Sequence, residues 1–337
     1  MSNYQTFPMK LVTFLAVFLL FLAGCGKENN EPNRPDPPPV DPPPITPAEI
    51  TDTLASGWVI DTSITTTNND IFFINNIGYL SAENIYKSID GGISWNSVHT
   101  SEQIVENIAM QGELEAVFSL VRGGGFLVTH DGGSTFKKVI VNDMDISDVF
   151  YLDEKTVGAI GNYFWTSTDA GDSWTRISDN NGNGFGNTYK SIFFLNSQVG
   201  WISGRDGIFS TNDGGKSWVK LNTPDLYTDA GTGSGHIFFL DSLNGFLADN
   251  STFANTSNAG LIWNRRLTLQ QYYHDIHFVD EKTGYITDKN YIWKTIDGGL
   301  TWKKDVVLKS KTVIELHFTD ANHGWACGPG VVLRYSK

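Results

Sequence analysis

The sequence Ser88-Ile-Asp90-Gly-Gly-Ile-Ser-Trp95 occurs in six related copies along this chain. Each copy has Ser or Thr, then Asp or Asn two residues later, a glycine, and a closing aromatic residue. A repeat interval of about 40 residues is typical of arrays in which each unit is one four-stranded sheet. The acidic or amide positions are 38 to 45 residues apart, at Asp90, Asp131, Asp169, Asp213, Asn258 and Asp297.

The octapeptide has the composition of a tight turn between two strands. The short Asp side chain can accept hydrogen bonds from the amides of its own turn, and glycine adopts the positive φ angles that such turns require. The Ser or Thr hydroxyl closes the same turn, and the aromatic residue begins the next strand. We therefore interpret five aspartates as structural and not catalytic: Asp90, Asp131, Asp169, Asp213 and Asp297.

A second pattern precedes these turns. It has six positions: a polar residue, an aliphatic residue, a variable residue, a residue that is usually Phe or Tyr, another aliphatic residue, and finally Asp or Asn. Such a nearly continuous apolar run is typical of a strand buried on both faces, so we place it innermost in each sheet. A glycine and an aromatic residue usually follow and begin the second strand. The seven copies begin at Asp70, Glu106, Asp148, Ser191, His236, Asp275 and Glu315.

The last repeat decides the topology because it is incomplete. After Glu315 the sequence supplies three strands and no further turn of the octapeptide type. Gly57-Trp58-Val59-Ile60 precedes the first inner strand and has the pattern of a fourth strand. Pairing the two segments leaves no open sheet edge, which would otherwise favour aggregation. The sequence therefore predicts an all-β fold over residues 54–337, a seven-bladed β-propeller closed by an N-terminal strand that completes the last blade.

The first residues have a different character. Met9-Lys10 precedes an apolar run over 11–23, and Leu22-Ala-Gly-Cys25 follows the pattern of the lipobox of bacterial lipoproteins. A transmembrane helix needs roughly 20 apolar residues, and this run is shorter. We predict a lipoprotein signal peptide over 1–25 with lipid attached to Cys25, and Met1 and Met9 both stay open as the initiator.

Residues 26–53 are rich in proline and contain two Pro-Pro-Pro stretches. Such a segment favours extended polyproline II and serves as a semi-rigid spacer. Acyl chains on Cys25 would hold the domain on a membrane. We therefore expect a lipid-anchored protein of the bacterial cell envelope, on the outer membrane or the cell surface, and the side that it faces stays open.

Charge and cysteine content exclude two classes of protein. The net charge of -13 argues against nucleic-acid binding, which requires a surplus of Lys and Arg. The chain has two cysteines, and Cys327 has no partner in the chain if Cys25 carries lipid, so a disulfide scaffold is excluded. We expect a monomer.

The repeats resemble those of Asp-box (BNR-repeat) propellers, and within them the photosystem II stability and assembly factor group. That group has the same order of inner strand, Gly-Trp and Thr-x-Asp-Gly-Gly-x-Ser-Trp. The resemblance covers residues 54–337 and implies the propeller fold and a role in the assembly or stability of a complex. The group also carries a basic docking patch, whereas the seven arginines here are scattered. This favours a heterotroph's lipoprotein of the same fold over a photosystem role.

In a propeller, the octapeptide turns lie on the face opposite the channel mouth, so we seek binding residues at the mouth. The residues that begin the inner strands predict an acidic ring there, which could hold a hard cation such as Ca²⁺. The alternative is that each carboxylate accepts hydrogen bonds from amides of the neighbouring blade. His277 and His317 are equivalent on adjacent strands, which favours a core role over a metal site. We expect no other cofactor.

Loops at the mouth supply further candidates. The connections over 178–188 and 222–235 exceed the usual four to six residues, and long loops on a rigid scaffold often carry function. An aromatic side chain near a cation is a common recognition surface. The candidate binding residues are Asp70, Asp148, Arg205, Asp206, Tyr227, Tyr272, Tyr273, Asp275 and Glu315.

Two functions remain in competition. Sialidases share the octapeptide turn, but they need three converging arginines and a Tyr nucleophile with a Glu partner, and no such set can be assigned here. We predict a non-catalytic envelope lipoprotein, a scaffold that binds a protein or glycan partner through its loop face. A glycoside hydrolase, sialidase-like or of another type, is the alternative.

Overall fold

The computed structural model describes residues 52–61, 63–121, 124–141, 146–177, 189–204, 207–223, 235–249, 252–267 and 273–337. All of them belong to one compact unit, Glu49–Lys337, and the other unit, Met1–Ala48, lies outside the described residues. Every regular element in the described ranges is a β-strand. These ranges contain no helix of the length and apolarity that crossing a bilayer demands.

The strands form seven antiparallel sheets. Two short strands come first, β1 (Thr53–Leu54) and β2 (Trp58–Asp61). Blades 1 and 2 contain β3 (Asp70–Ile74), β4 (Ile77–Ser81), β5 (Asn84–Ser88), β6 (Asn96–Thr100), β7 (Val105–Gln111), β8 (Glu115–Leu120), β9 (Gly125–Thr129) and β10 (Lys137–Val139). Blades 3 and 4 contain β11 (Ile146–Tyr151), β12 (Val157–Gly161), β13 (Phe164–Ser167), β14 (Thr175–Ile177), β15 (Tyr189–Phe194), β16 (Gly200–Gly204), β17 (Gly207–Thr211) and β18 (Val219–Lys220).

The last three blades complete a ring. They contain β19 (His236–Phe239), β20 (Gly245–Asp249), β21 (Thr252–Thr256), β22 (Asn264–Leu267), β23 (Asp275–Phe278), β24 (Gly284–Asp288), β25 (Tyr291–Thr295), β26 (Lys303–Val307), β27 (Glu315–Phe318), β28 (His323–Gly328) and β29 (Val331–Ser336). The first strand of each blade contacts the first strand of the next, and β27 contacts β3. The predicted seven-bladed propeller is confirmed.

The ring closes through the N-terminal strand, as predicted. Strand β2 pairs antiparallel with β29, with Trp58 opposite Tyr335 and Asp61 opposite Val332. The Trp58 side chain is buried, and its indole N–H donates to Asp305 Oδ2 at 2.8 Å. Blade 7 therefore contains strands from both ends of the described chain, so no open sheet edge remains at the junction.

The N-terminal segment also adds an unexpected strand to blade 6. Strand β1 pairs with the outer strand β26, with Thr53 opposite Val307, and the Lys309 N–H donates to Asp52 Oδ1 at 2.7 Å. The predicted domain start at residue 54 therefore lies inside the folded part. A two-residue strand carries no apolar periodicity, which is why the sequence did not predict it.

Aromatic side chains pack between neighbouring blades. The ring of Phe73 on β3 stacks on Trp325 of blade 7, with centroids 3.8 Å apart, and meets the edge of Trp95 at 5.6 Å. Its other neighbour is Gly78, where an added Cβ would lie 2.4 Å from the Phe73 ring. The glycine that begins the second strand is thus required by the flat ring packed against it.

The octapeptides form turns between the third and fourth strands, which we call the aspartate turns. In blade 1 the Ser94 N–H donates to Asp90 Oδ1 at 2.9 Å, and the Ser94 hydroxyl donates to Asp90 Oδ2 at 2.6 Å. The Ser88 hydroxyl donates to Asp90 Oδ1 and accepts from the Gly92 N–H. The same pattern recurs at Asp131, Asp169, Asp213 and Asp297.

These turns also connect blades. The Trp325 indole N–H of blade 7 donates to the Gly91 carbonyl in the turn of blade 1, at 2.9 Å. The Trp201 indole of blade 4 donates to the Ala259 carbonyl of blade 5 at 3.0 Å. The aspartate-turn face is therefore a ring of rigid hairpins, each tied to the preceding blade wherever a Trp occupies the second strand.

Candidate functional site

A central cavity of about 660 Å³ opens at the ends where the inner strands begin. All seven inner strands line it, β3, β7, β11, β15, β19, β23 and β27, or the residues immediately before them. Because side chains alternate along a strand, the first residue and the third residue of the common pattern both face this cavity. The cavity thus has a polar rim above an aromatic wall.

The rim contains the residues predicted for the acidic ring, with one correction. Asp70, Asp148, Asp275 and Glu315 line the cavity, as do Glu106 and His236. In blade 2, however, the amide that donates to the aspartate of the preceding blade belongs to Ile108. Ile192 and Leu316 are the corresponding donors in blades 4 and 7. The residue equivalent to Asp70 is therefore Asn107. A register shift between Val105 and Ile108 displaces Glu106 from that position.

Three rim aspartates join neighbouring blades through backbone amides. Asp70 accepts from the Ile71 N–H at 2.6 Å and, on its other oxygen, from the Ile108 N–H of blade 2 at 2.7 Å. The Ile108 amide lies in an enclosed place, and there the Asp70 oxygen accepts the hydrogen bond that water would otherwise accept. We call these three side chains, Asp70, Asp148 and Asp275, the carboxylate clasps.

The other two clasps repeat this geometry. Asp148 accepts from the Val149 N–H at 2.8 Å and from the Ile192 N–H of blade 4 at 3.2 Å. Asp275 accepts from the Ile276 N–H at 2.7 Å and from the Leu316 N–H of blade 7 at 2.8 Å. In blade 4 the Ser191 hydroxyl accepts from the Ile237 N–H of blade 5 at 3.2 Å. In all three clasps the carboxylate thus accepts a hydrogen bond from an amide of the neighbouring blade, which is the alternative to the cation-binding ring.

Burial dominates the electrostatics of the rim. It raises the pKa of Asp70 to about 7 and that of Asp148 to about 8, although two amide hydrogen bonds act on each in the opposite direction. Burial and the charges of Asp275, Asp70 and Asp148 raise the pKa of Glu315 well above its usual value. At neutral pH Asp148 is therefore largely protonated and Asp70 about half protonated. A protonated carboxyl group can donate as well as accept hydrogen bonds.

The wall below the rim is aromatic. Phe193 and Phe238 approach to 5.0 Å between ring centroids, and Phe72 lies 4.3 Å from the ring of His317. His317 Nε2 lies 2.8 Å from the Phe73 carbonyl oxygen, to which it donates as the neutral tautomer. Burial lowers the pKa of His277 to about 4 and that of His317 to about 3. Both histidines are therefore neutral wall residues that join blades 6, 7 and 1, as expected for a core role.

Among the residues that the structure describes, the rim side chains form no set of metal ligands. Within the described ranges, no three His, Cys, Asp or Glu side chains converge in a way that would hold a metal ion. Each clasp already directs both oxygens at backbone amides, which leaves the set without the convergent oxygen shell that Ca²⁺ requires. His236 Nδ1 lies 3.2 Å from Asp275 Oδ1, so this pair joins blades 5 and 6 as well.

Four candidate residues lie outside the described ranges: Arg205, Asp206, Tyr227 and Tyr272. The connection 178–188 lies outside as well, and only the ends of 222–235 are described. Tyr273 is described and is 2% exposed, packed with Phe246 and Ile276 in the core. Its prediction as a contact residue was wrong, because this position faces the interior of blades 5 and 6.

Sequence reasoning missed several cavity residues. Lys190 lines the rim in blade 4, and Asn107 occupies a clasp position without a carboxylate. Ser191 also occupies a clasp position, which the inner-strand pattern did predict. The wall residues Phe72, Phe150, Phe193 and Phe238 were recognised only as the variable third position of the inner-strand pattern. Period-two alternation within the inner-strand pattern would have placed them on the same side as the rim residues.

Comparison with known proteins identifies the fold. No protein-family model and no curated protein matches the sequence. Among solved structures, YCF48 bound to a D1 peptide has a TM-score of 0.68 at 18% identity, over 83% of this chain and 97% of that chain. YCF48 from Cyanidioschyzon merolae has a TM-score of 0.69 at 14% identity, over 83% and 99%.

A carbohydrate-active enzyme has a similar structure. The GH74 xyloglucanase from Xanthomonas campestris has a TM-score of 0.62 at 11% identity, over 83% of this chain and 53% of that chain. The chain has the fold of a seven-bladed β-propeller. Because this fold supports both peptide binding and glycoside hydrolysis in its structural neighbours, the function must be argued from the site.

Proposed function

We propose that the chain is a non-catalytic lipoprotein of the bacterial cell envelope, whose propeller binds a protein or glycan partner through the channel-mouth face. The observation that carries this proposal is the cavity of about 660 Å³, with a rigid polar rim and an aromatic wall. The three clasps hold backbone amides of two blades each, so their positions are fixed before a partner arrives. A preformed concave site of this kind binds without a large ordering cost.

A protein partner is favoured over a glycan. The structural neighbour YCF48 binds a D1 peptide, and the repeats resemble the assembly-factor group of Asp-box propellers. On that basis the partner would belong to a complex that is assembled or maintained in the envelope. The pattern of hydrogen bonds in the aspartate turns supports the resemblance to Asp-box propellers.

The anchor is proposed from sequence. Residues 1–25 would be the signal peptide, Cys25 the lipid attachment site, and 26–53 the spacer, with an outer-membrane or cell-surface location. Asp52 is hydrogen-bonded beside the channel-mouth end of β26. The last two residues of the proposed spacer, Asp52 and Thr53, therefore lie beside the outer strand of blade 6. Replacement Cys25→Ala should release the protein from the membrane fraction, and unchanged membrane association would contradict the anchor.

Site-specific photo-crosslinking tests the binding face. A photoreactive residue at Ser147, which is exposed and lines the mouth, should give a discrete adduct in envelope preparations. The matched control is Lys216, which is exposed in an aspartate turn of blade 4 on the opposite face. An adduct from position 147 that Glu315→Gln weakens supports the proposal. An adduct from position 216 alone, or none from either position, would refute it.

A glycoside hydrolase is the second candidate, because a GH74 enzyme has a similar fold and because Asp148, with a pKa raised to about 8, has the protonation state of a general acid. The chain Glu49–Lys337, which includes every strand, should be incubated with a glycoside panel. Turnover that Asp148→Asn abolishes would establish the enzyme and overturn the scaffold proposal. We expect no turnover from either form.

A further inference from the structure

Large aliphatic side chains protrude from one part of the aspartate-turn face. Each turn has two variable positions, one before the aspartate and one after the second glycine position. In blades 1 and 6 both are aliphatic: Ile89 and Ile93, and Ile296 and Leu300. In blade 5, Leu261 and Ile262 are exposed in the turn, and Leu243 in the adjacent turn between β19 and β20. These seven residues, which are 53% to 69% exposed, are called the apolar arc.

The two variable positions of the aspartate turns in blades 2, 3 and 4 carry no large aliphatic residue. The one exposed aliphatic counterpart of an arc residue in these three blades is Leu114 of blade 2, which is 60% exposed and equivalent to Leu243. The repeat therefore supplies an internal comparison, since turns of one geometry differ only in the side chains that they expose. Blade 7 has no aspartate turn, so the arc occupies blades 5, 6 and 1 around the junction of the chain ends. The equivalent residues elsewhere are His130, Ser134, Thr168, Asp172, Asn212 and Lys216.

The arc is not required by the turns that carry it. The hydrogen bonds of the turn use the Ser or Thr, the Asp, the backbone amides and the second Ser or Thr. In blade 5 Ile262 occupies that last position, where Ser94 in blade 1 donates to Asp90 Oδ2. That turn thus exposes an aliphatic side chain in place of a hydrogen-bonding one. Clustered apolar side chains on a soluble surface mark an interaction site.

Carboxylates border the arc. Hydrogen bonds from the hydroxyl and amide of Ser94 lower the pKa of Asp90 to about 2, and those of Thr301 do the same for Asp297. Asp241, Asp280 and Asp320 lie on the same face, in turns between first and second strands. The exposed Glu281 adds a sixth carboxylate, and Lys282, Lys303 and Lys337 lie beside these turns in the sequence. Carboxylates therefore outnumber lysines along this border, which is negatively charged at neutral pH.

We propose that the apolar arc binds a protein segment that carries aliphatic side chains flanked by Lys or Arg. The aliphatic residues would pack on the arc, and the basic residues would lie against Asp90, Asp297 and the neighbouring carboxylates. This complementarity favours a basic segment over a lipid bilayer, because the border repels anionic headgroups. It also disfavours a second copy, whose own arc carries the same negative border. The surface is separate from the channel mouth and is independent of the function proposed for it.

Synthetic peptides test this proposal on the chain Glu49–Lys337. The probe is an amphipathic Leu/Lys peptide, compared with a Leu/Glu peptide of the same leucine spacing. We expect the Leu/Lys peptide to bind and the Leu/Glu peptide not to bind. The double replacement Ile296→Ser with Leu300→Ser should raise the dissociation constant of the Leu/Lys peptide by about tenfold or more. Ile140→Ser with Val219→Ser is the matched control, because both residues are equally exposed but lie outside the arc.

The control variant should change the affinity by less than about twofold. Ile89→Ser with Ile93→Ser, in another blade, repeats the test if the first variant loses its cooperative melting transition. Equal effects of arc and control variants, or equal binding of the two peptides, would overturn the proposal. Self-association that the arc variants abolish would also overturn the proposal, in favour of a second copy. Sedimentation with phosphatidylcholine vesicles that the arc variants abolish would overturn it in favour of a lipid surface.

Discussion

The two ends of the propeller use aspartate in opposite ways. In the aspartate turns the carboxylate lies at the surface, half-buried or exposed, and accepts hydrogen bonds from residues up to four positions away. These bonds lower the pKa of Asp90 to about 2. At the channel mouth Asp148 accepts two amide hydrogen bonds, one of them from a residue in the next blade, yet burial raises its pKa to about 8. Inside the cavity, desolvation raises the pKa of Asp148 by more than its two hydrogen bonds lower it. In the turns, where desolvation is slight, the hydrogen bonds have the larger effect on the pKa.

This difference separates two structural roles. The aspartate turns are local staples that stay charged at physiological pH, so they give their face a fixed negative border. The carboxylate clasps are long-range links between blades, and the protonation of two of them, Asp70 and Asp148, changes near neutral pH. We therefore expect changes at the mouth to affect the whole ring, and changes in a turn to affect one hairpin.

The largest effect should come from breaking a clasp. Asp148→Ala leaves the amides of Val149 and Ile192 without an acceptor in an enclosed place, while it removes the desolvation cost of the carboxyl group. We expect a net loss of about 2 kcal/mol in the free energy of unfolding. Denaturant unfolding measures it, and Ser147→Ala, an exposed neighbour, should change stability by less than about 0.5 kcal/mol. Equal stability of the two variants would contradict the clasp.

The clasps also predict a pH dependence. The pKa values of Asp70 and Asp148 in the folded protein, about 7 and about 8, exceed the ordinary value of 3.8. Their stabilising contribution is complete below the ordinary pKa and is lost as the pH rises through 7 and 8. Above about pH 7.5, a unit above the ordinary His pKa of 6.5, His277 and His317 are neutral in both folded and unfolded states, so they do not mask this loss.

The melting temperature should therefore fall between about pH 7.5 and about 9. Asp148→Asn should make this fall smaller, because Asn does not titrate. Differential scanning calorimetry across this range measures both curves. A wild-type melting temperature that stays constant or rises with pH would show that burial does not raise these pKa values.

A smaller loss is expected at the turn end. Asp90→Ala removes the acceptor for the Ile93 and Ser94 amides, but both are exposed and water replaces the carboxylate. By analogy with the loss of a helix cap, we expect a cost of about 1 kcal/mol. Urea unfolding of Asp90→Ala and Asp148→Ala measures the loss of stability at the two ends side by side. A larger loss of stability for Asp90→Ala than for Asp148→Ala would contradict the comparison.

The smallest effect should be a gain. The turn of blade 5 has Asn258 and Ile262 where the others have Asp and Ser or Thr, so it lacks the bond from hydroxyl to carboxylate. Asn258→Asp with Ile262→Ser should restore that bond and stabilise the protein by about 0.5 kcal/mol. The same chemical melts detect it, and a destabilised double variant would show that Ile262 contributes packing.

The fold could be predicted because every blade repeats its signals. The octapeptides and the inner-strand pattern gave the number of blades, and the missing last strand gave the pairing of Trp58 with Tyr335. Strand β1 could not be predicted, since a two-residue strand has no periodicity. The position of Asn107 could not be predicted either, because a register shift within β7 moves the pattern by one residue.

The site was harder to predict than the fold. The sequence identified Asp70, Asp148, Asp275 and Glu315 as mouth residues, but left open whether their carboxylates face a cation or backbone amides. That choice depends on distances between blades, which no local pattern contains. Tyr273 was predicted as surface and is buried, because aromatic residues just before an inner strand pack between blades as readily as they contact a partner.

The most direct test of this account is a carboxyl ¹³C NMR titration of the aspartates in the chain Glu49–Lys337. We expect Asp148 to titrate with a midpoint near pH 8 and Asp90 with a midpoint near pH 2. Midpoints for both residues near the ordinary value of 3.8 would contradict it, because the two ends would then hold their aspartates in equivalent surroundings.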